Sequence, residues 1–257
     1  MPGIRGHQFC RFQDKILGVV RLGIPRHTGK YLAERILFAF VVLLAAFILL
    51  GSPLFEVRQI EVTGNSSLPD KKIVELSGIT AGTNIFKVNL KESEVRIRTV
   101  PLIKDVHLAR EFPSRIVIAV EERQAVALLP VKDGFMQVDR EGVCLQESGV
   151  AGSLPVVTGA VVPTPVPGQV IRDAKLGTAL QVINQLPGSL LKKLSEIHVN
   201  GQGQVVLYTL DGVECRLGAP VDINRKASVL LQVLEQIRGQ KIAYVDLTGV
   251  PVVKYAR

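Results

Sequence analysis

The stretch ILFAFVVLLAAFILLGSPLF, Ile36 to Phe55, holds twenty residues without a charge. As a helix rising 1.5 Å per residue it would reach about 30 Å, the thickness of a bilayer's hydrocarbon core. Residues 1–35 before it carry seven Lys/Arg (Arg5, Arg11, Lys15, Arg21, Arg26, Lys30, Arg35) against Asp14 and Glu34. Residues 56–257 after it have ordinary soluble composition. The positive-inside rule keeps the short basic segment in the cytoplasm and places the long C-terminal part outside. A cleaved signal peptide would have a shorter apolar core and a small-x-small site, and Pro53 sits badly for one. The expectation is a retained, single-pass anchor.

The formal net charge of +8 is unevenly spread, with +5 in residues 1–35 and +3 in the remainder. Orientation and attraction to anionic membrane lipid account for such a tail. No zinc-finger spacing, basic helix with heptads or basic run interleaved with aromatics accompanies it, so no specific nucleic acid is expected. Beyond the apolar stretch there are two cysteines, Cys144 and Cys215. They are too few for a disulfide framework. A single bridge remains open, but Cys215 alternates with Val213 and Leu217 as a buried thiol in a strand would.

Residues 55–122 read as strand, helix, helix, strand, strand. Phe55, Val57, Ile60 and Val62 alternate with a break at Arg58–Gln59 that suggests a bulge, and Gly64-Asn65 marks a turn. Ser67, Pro69 and Asp70 open a short helix with Ile73 and Leu76 inward and Gly78 as terminator. Asn89 three residues before Glu92 has capping-box spacing, and Pro101 stops that second helix. Strands near 103–110 and 115–122 follow, the latter with Ile116, Ile118 and Val120 inward. The result is a three-stranded sheet with both helices on one face.

Residues 123–257 are richer in strands. Candidates are 124–129, 134–138, 143–146, 195–200, 204–210, 213–218, 242–248 and 251–255, with helices at 172–186 and 222–238. The proline-bearing segment 150–170 reads as an irregular crossing. The fold class is therefore α+β: one transmembrane helix, a small β-α-α-β-β domain, then a larger antiparallel sheet backed by helices.

Catalysis needs converging polar groups, and none can be assembled. Alternation turns His107 and His198 outward to solvent. Ser195 does not sit in a nucleophile elbow. Glu121 and Glu122 point to opposite faces, and Gly201-Gln202-Gly203 is a hairpin turn without the lysine of a phosphate loop. The expectation is a protein that is not an enzyme, with no cofactor, catalytic residue or metal ligand. What remains is surface: the closing segment 242–255 is strand-prone and contains Pro251. Proline belongs at a sheet edge, where a partner chain can add a strand.

The opening Phe55-Glu-Val-Arg-Gln-Ile-Glu-Val-Thr-Gly-Asn65, with Gly82-Thr-Asn-Ile-Phe86 and Arg110-Glu-Phe-Pro-Ser-Arg-Ile-Val-Ile118, resembles the POTRA domain of the FtsQ/DivIB family of bacterial cell-division proteins. The closing Tyr244-Val-Asp-Leu-Thr248 and Pro251-Val-Val-Lys254 resemble the end of that family's β domain. The resemblance implies a cytoplasmic tail at 1–35, a transmembrane helix at 36–55, a POTRA-like domain at 56–123 and a β domain at 124–257. It implies a non-catalytic bitopic scaffold at the division septum that recruits or regulates septal peptidoglycan synthesis. The implied partners are bitopic coiled-coil proteins of the FtsL and FtsB/DivIC type and the septal peptidoglycan synthase complex. The implied contacts are Tyr244, Val245, Asp246, Leu247, Thr248, Val252, Val253 and Lys254, with the outward face of helix 222–238. The alternative is a membrane-anchored POTRA module that binds polypeptides in translocation or envelope assembly.

Overall fold

The computed structural model describes residues 28–149, 152–161, 165–237 and 239–255. Most of the basic tail and part of the 150–170 crossing lie outside the described residues. The chain divides into two units, 1–52 and 53–257.

In the first unit the helix α1 (Thr28–Leu50) holds the segment Tyr31–Leu50 with a mean hydropathy of 2.4. Among the described residues this is the one helix long and apolar enough to cross a membrane. It ends five residues before the predicted boundary at Phe55. Gly51 is a poor helix former, and Pro53 pushes Ser52 out of the helical region. Pro53–Phe55 form a separate 3-10 turn. A bilayer-thick length is reached instead by running back through Arg35 and Glu34 to Tyr31, where long charged side chains can snorkel to the interface.

The second unit begins with a three-stranded sheet in the order β1-β3-β2. Its elements run β1 (Gln59–Thr63), α2 (Asp70–Ser77), α3 (Leu90–Arg98), β2 (Ile103–Glu111) and β3 (Arg115–Glu122). β1 lies parallel to β3 and β2 antiparallel to it. Ile73, Ile97, Val106, Ile116 and Ile118 make the core beneath the helices. Gly78 terminates α2 in the left-handed conformation. The Asn89 side chain caps α3 by accepting from Glu92 N. The break at Arg58–Gln59 is a change of partner rather than a bulge. Val57 N donates to Thr83 O at 2.9 Å, and Arg58 N turns to Ser114 O at 2.8 Å.

A nine-stranded sheet follows, in the order β12-β11-β10-β9-β8-β7-β4-β5-β6. Its strands are β4 (Ala125–Val131), β5 (Gly134–Asp139), β6 (Cys144–Ser148), β7 (Val156–Thr158), β8 (Leu194–Val199), β9 (Val205–Thr209), β10 (Glu214–Gly218), β11 (Ile242–Asp246) and β12 (Val252–Tyr255). Helices α4 (Ala174–Gln185), α5 (Gly188–Leu191) and α6 (Ile223–Gln236) complete it. The predicted helical stripe Leu176, Ala179, Leu180 and Ile183 is buried in the core. Of the stripe Ala227, Leu230, Leu231, Leu234 and Ile237, Leu231 and Leu234 are only partly buried against it and the others are buried.

The sheet is mixed, which corrects the expectation of an antiparallel one. β4–β7, β7–β8 and β10–β11 pair in parallel. The first two arise because segment 156–158, read from sequence as irregular, is a strand in the middle of the sheet. The third arises because α6 is a crossover that returns the chain to the same end of β10. Cys144 and Cys215 are free, buried thiols. Burial pushes the Cys215 thiol up to about 12, where it stays protonated and serves packing.

Candidate partner-binding edge

The two ends of the larger sheet are built differently. At the β6 end, backbone from the 166–171 segment pairs with the start of the strand and the residues just before it. Cys144 N donates to Gln169 O at 2.8 Å, Gly168 N donates to Cys144 O at 2.7 Å, and Val143 bridges Val170. At the other end, β12 has a strand neighbour on one side alone among the described residues. The small sheet's β2 edge is also occupied, by side chains of α3. Glu94 accepts from Leu108 N at 3.0 Å, and Arg98 donates to Val106 O at 3.4 Å. An uncovered strand presents a row of backbone donors and acceptors; among the described residues β12 in the larger sheet and β1 in the small one each have a strand neighbour on one side alone.

The predicted contact residues divide by face. β11 pairs with β12 through Tyr244↔Lys254, Val245↔Val253 and Asp246↔Val252. Val245 and Leu247 are buried in the main core, with Val253 packed against it, so these three support the hairpin from below. Tyr244 lies half-buried on the opposite face, its ring 4.1 Å from the Arg216 guanidinium and 5.5 Å from the Lys254 ammonium. Both distances are within cation–π range. Asp246 accepts from Thr248 N at 2.9 Å and Oγ1 at 2.6 Å, and the hydroxyl and amide hold its carboxyl below the usual carboxylate range. That turn packs over Gly218, where a β-carbon would stand 2.9 Å from Thr248 Cγ2 and φ is +70°. Only glycine allows so close an approach at that φ.

Exposed surface on the edge strand comes from Val252 (53%), Lys254 and Tyr255 (56%). Tyr255 was outside the predicted set. Period-two alternation from Lys254 alone would have left it on the buried face, and only its place at the end of an edge strand exposes it. Beside the start of β11 a cleft of about 1050 Å³ opens, lined by Lys192, Lys193, Leu210, Leu234, Glu235 and Lys241 among others. It lies at the C-terminal end of α6, so that part of the predicted helix face adjoins the hairpin. Lys193 pairs with Glu235 at 2.7 Å there.

Ser195, His107, His198, Glu121 and Glu122 each have a polar partner. Ser195 Oγ donates to the Tyr208 and Thr209 carbonyls at 3.2 and 3.1 Å. His107 is exposed and lies 3.2 Å from Asp105. His198 departs from the expectation of a solvated ring: its Nδ1 is 2.7 Å from Thr158 Oγ1, which also donates to Glu196. The cause is β7, whose parallel register sets Thr158 opposite His198. Glu121 pairs with Lys104 at 2.7 Å, while Glu122 binds the 66–68 turn. Among the described residues no group of three or more His, Cys, Asp or Glu is placed to hold a metal ion.

Residues 55–123 match the family model for the POTRA domain, FtsQ-type, and residues 127–248 match that for Cell division protein FtsQ/DivIB, C-terminal. Cell division protein DivIB of Clostridium botulinum (strain Hall) is 24% identical over 233 residues, 84% of this chain and 88% of the relative. Cell division protein FtsQ of Syntrophotalea carbinolica is 30% identical over 217 residues, 80% of this chain and 76% of the relative. The solved major extracytoplasmic domain of DivIB from Geobacillus stearothermophilus, 21% identical, aligns over 46% of this chain and 92% of its own with a TM-score of 0.34. With matched domains in the family's order and a relative of 30% identity aligned over most of both chains, this chain belongs to the FtsQ/DivIB family of cell-division proteins.

Proposed function

We propose that this chain is a non-catalytic, bitopic scaffold of the division septum, and that β12 is the edge on which its partners dock. The partners are small bitopic coiled-coil proteins of the FtsL and FtsB/DivIC type, through which the scaffold recruits or regulates the septal peptidoglycan synthase complex. The observation that carries this reading is the asymmetry of the larger sheet. Segment 166–171 pairs with the start of β6, whereas β12 ends the sheet with Val252, Lys254 and Tyr255 exposed. Strand addition supplies main-chain hydrogen bonds for affinity, and exposed side chains on alternate positions supply specificity. The adjoining cleft is lined by Lys192, Lys193 and Lys241 together with Asp211 and Glu235, the last paired with Lys193.

The same reading separates the chain into working modules at Arg123–Gln124. The POTRA-like part, with its β2 edge occupied by Glu94 and Arg98, serves as a spacer and localisation module rather than as a strand acceptor on that side. The translocation alternative would need an extended polypeptide beside that sheet.

Depletion in cells, with rescue by a fluorescent full-length copy, tests the proposal. Filaments without septa, rescued by a copy that gathers at midcell, support it. Normal division with a uniform envelope signal overturns it and favours the translocation role. A photo-crosslinking side chain at Tyr255 tests the docking edge. Capture of the FtsL/FtsB-type partner supports β12, and capture only from positions on the small sheet overturns it.

A further inference from the structure

Three of the four phenylalanines that follow α1 meet in one cluster on the small domain. Phe55 and Phe86 have ring centroids 5.2 Å apart at 52°, and Phe86 and Phe112 lie 5.3 Å apart at 28°. The cluster is only half inside. Phe55 packs on the small core, but Phe86 is 43% exposed, Phe112 60%, and neighbouring Leu54 49%. Three separate segments are held to make it. Ile85 N donates to Phe55 O at 2.8 Å, and Asn84 Oδ1 accepts from Phe86 N at 3.0 Å. Arg110 reaches across to the Ile85 and Val88 carbonyls at 2.8 and 2.6 Å. Arg58 N holds the turn after Phe112 through Ser114 O. A pinned, exposed apolar patch marks a binding face.

Position along the chain says what it faces. Leu50 ends the apolar helix, and five residue steps lead from it to Phe55. At the reach of an extended chain this bounds the Phe55 backbone to within about 18 Å of the helix end, whatever path residues 51–54 take. Aromatic and aliphatic groups gain by entering the headgroup–acyl boundary, and exposed cations beside them bind lipid phosphates. Lys87, next to Phe86, and Arg58 are exposed and supply those cations. We propose that Leu54, Phe55, Phe86 and Phe112 form a lipid-docking face, which seats the small domain on the membrane–water interface. The proposal stands apart from the division role and from the β12 edge.

The chain has no tryptophan, so one substitution makes a site-specific reporter. Full-length Phe112→Trp is reconstituted in phosphatidylethanolamine–phosphatidylglycerol vesicles, with Phe86→Trp reporting the same cluster from another loop. Val250→Trp, on the exposed turn between β11 and β12, is the control, and circular dichroism checks folding of each. The expected result is blue-shifted emission from either cluster indole, quenched by lipids brominated near the headgroup end of the acyl chain, with the control unshifted and unquenched. If both cluster indoles behave like the control, the patch faces water or protein and the proposal falls.

Discussion

Arg123, the residue after β3, donates to Asp139 Oδ2 at 2.6 Å and to Glu141 at 2.7 Å. Asp139 is buried at the end of β5, and its other oxygen accepts from Glu141 N and Val143 N at 2.9 and 2.8 Å. One carboxylate thus ties the β5–β6 turn to the chain segment that leaves the small sheet. Removing one member of a buried pair leaves the other charged and poorly solvated. Because two backbone donors remain on Asp139, Arg123→Ala is expected to cost about 2–4 kcal/mol, at or below the usual loss for such pairs. Urea unfolding measures that loss. Faster amide exchange at Glu141 and Val143 in the variant would show that the damage is local to this turn.

Glu122, one residue earlier, carries the clearest pH signature. Burial opposes its ionisation, yet Leu68 N, Ser67 N and Ser66, whose Oγ donates at 2.9 Å, together outweigh that and hold it down to about 2 from 4.5. A carboxyl lowered in the folded state stabilises above its unfolded pKa and loses that contribution as pH falls through the folded value. The loss is therefore expected between pH 4.5 and about 2. It amounts to roughly 1–3 kcal/mol after allowance for solvent screening. Glu122→Gln should flatten stability across that window while lowering it at pH 7. An unchanged slope in acid titration of stability would remove Glu122 from this role.

The local patterns in the sequence carried most of the elements. Alternation at Ile116, Ile118 and Val120 places their side chains in the small core, and the stripe Ala227, Leu230, Leu231, Leu234 and Ile237 lies against the larger one, with Leu231 and Leu234 only partly buried. What local pattern did not carry was strand direction and neighbour. Val156–Thr158 is three residues between Pro155 and Gly159, too short for alternation to register, yet it sets two parallel pairings and engages His198. The contact segment shows the same limit. Alternation separates Val245 from Tyr244, but only the order of strands reveals that β11 is interior and β12 is the edge. The anchor's end depended on Gly51 and Pro53, which hydropathy alone counted as part of the span.

Two glycines repeat one device at the ends of the parallel strands. Gly64 follows β1, and a β-carbon there would lie 2.1 Å from Val120 O; Gly159 follows β7, with Val199 O at 2.0 Å. Their φ values are +84° and +88°, so an added side chain meets both strain and a backbone collision. Gly159→Ala is expected to destabilise by about 2–4 kcal/mol, more than the backbone conformation alone costs. Denaturant titration should show a lower midpoint at unchanged m-value. A shift smaller than that of an alanine at exposed, unhindered Gly201 would show that the carbonyl can move aside.

The proposed docking edge makes a prediction that separates binding from folding within one hairpin. Tyr244 and Val245 are adjacent in β11 but face opposite ways, Tyr244 toward Arg216 and Lys254, Val245 into the core. Val245→Asp buries an unpaired charge and should unfold the larger sheet, abolishing partner binding for a trivial reason. Tyr244→Ala loses cation–π contacts of about 0.5–1 kcal/mol each and should leave the fold standing. If the partner strand pairs with β12, the loss of Tyr244, which braces Lys254 on that strand, should weaken binding of an FtsL/FtsB-type extracytoplasmic segment about tenfold, equivalent to 1.4 kcal/mol. Titration calorimetry on Tyr244→Ala, beside circular dichroism of the same preparation, makes the comparison. Intact folding with undiminished affinity would put the partner elsewhere than this edge.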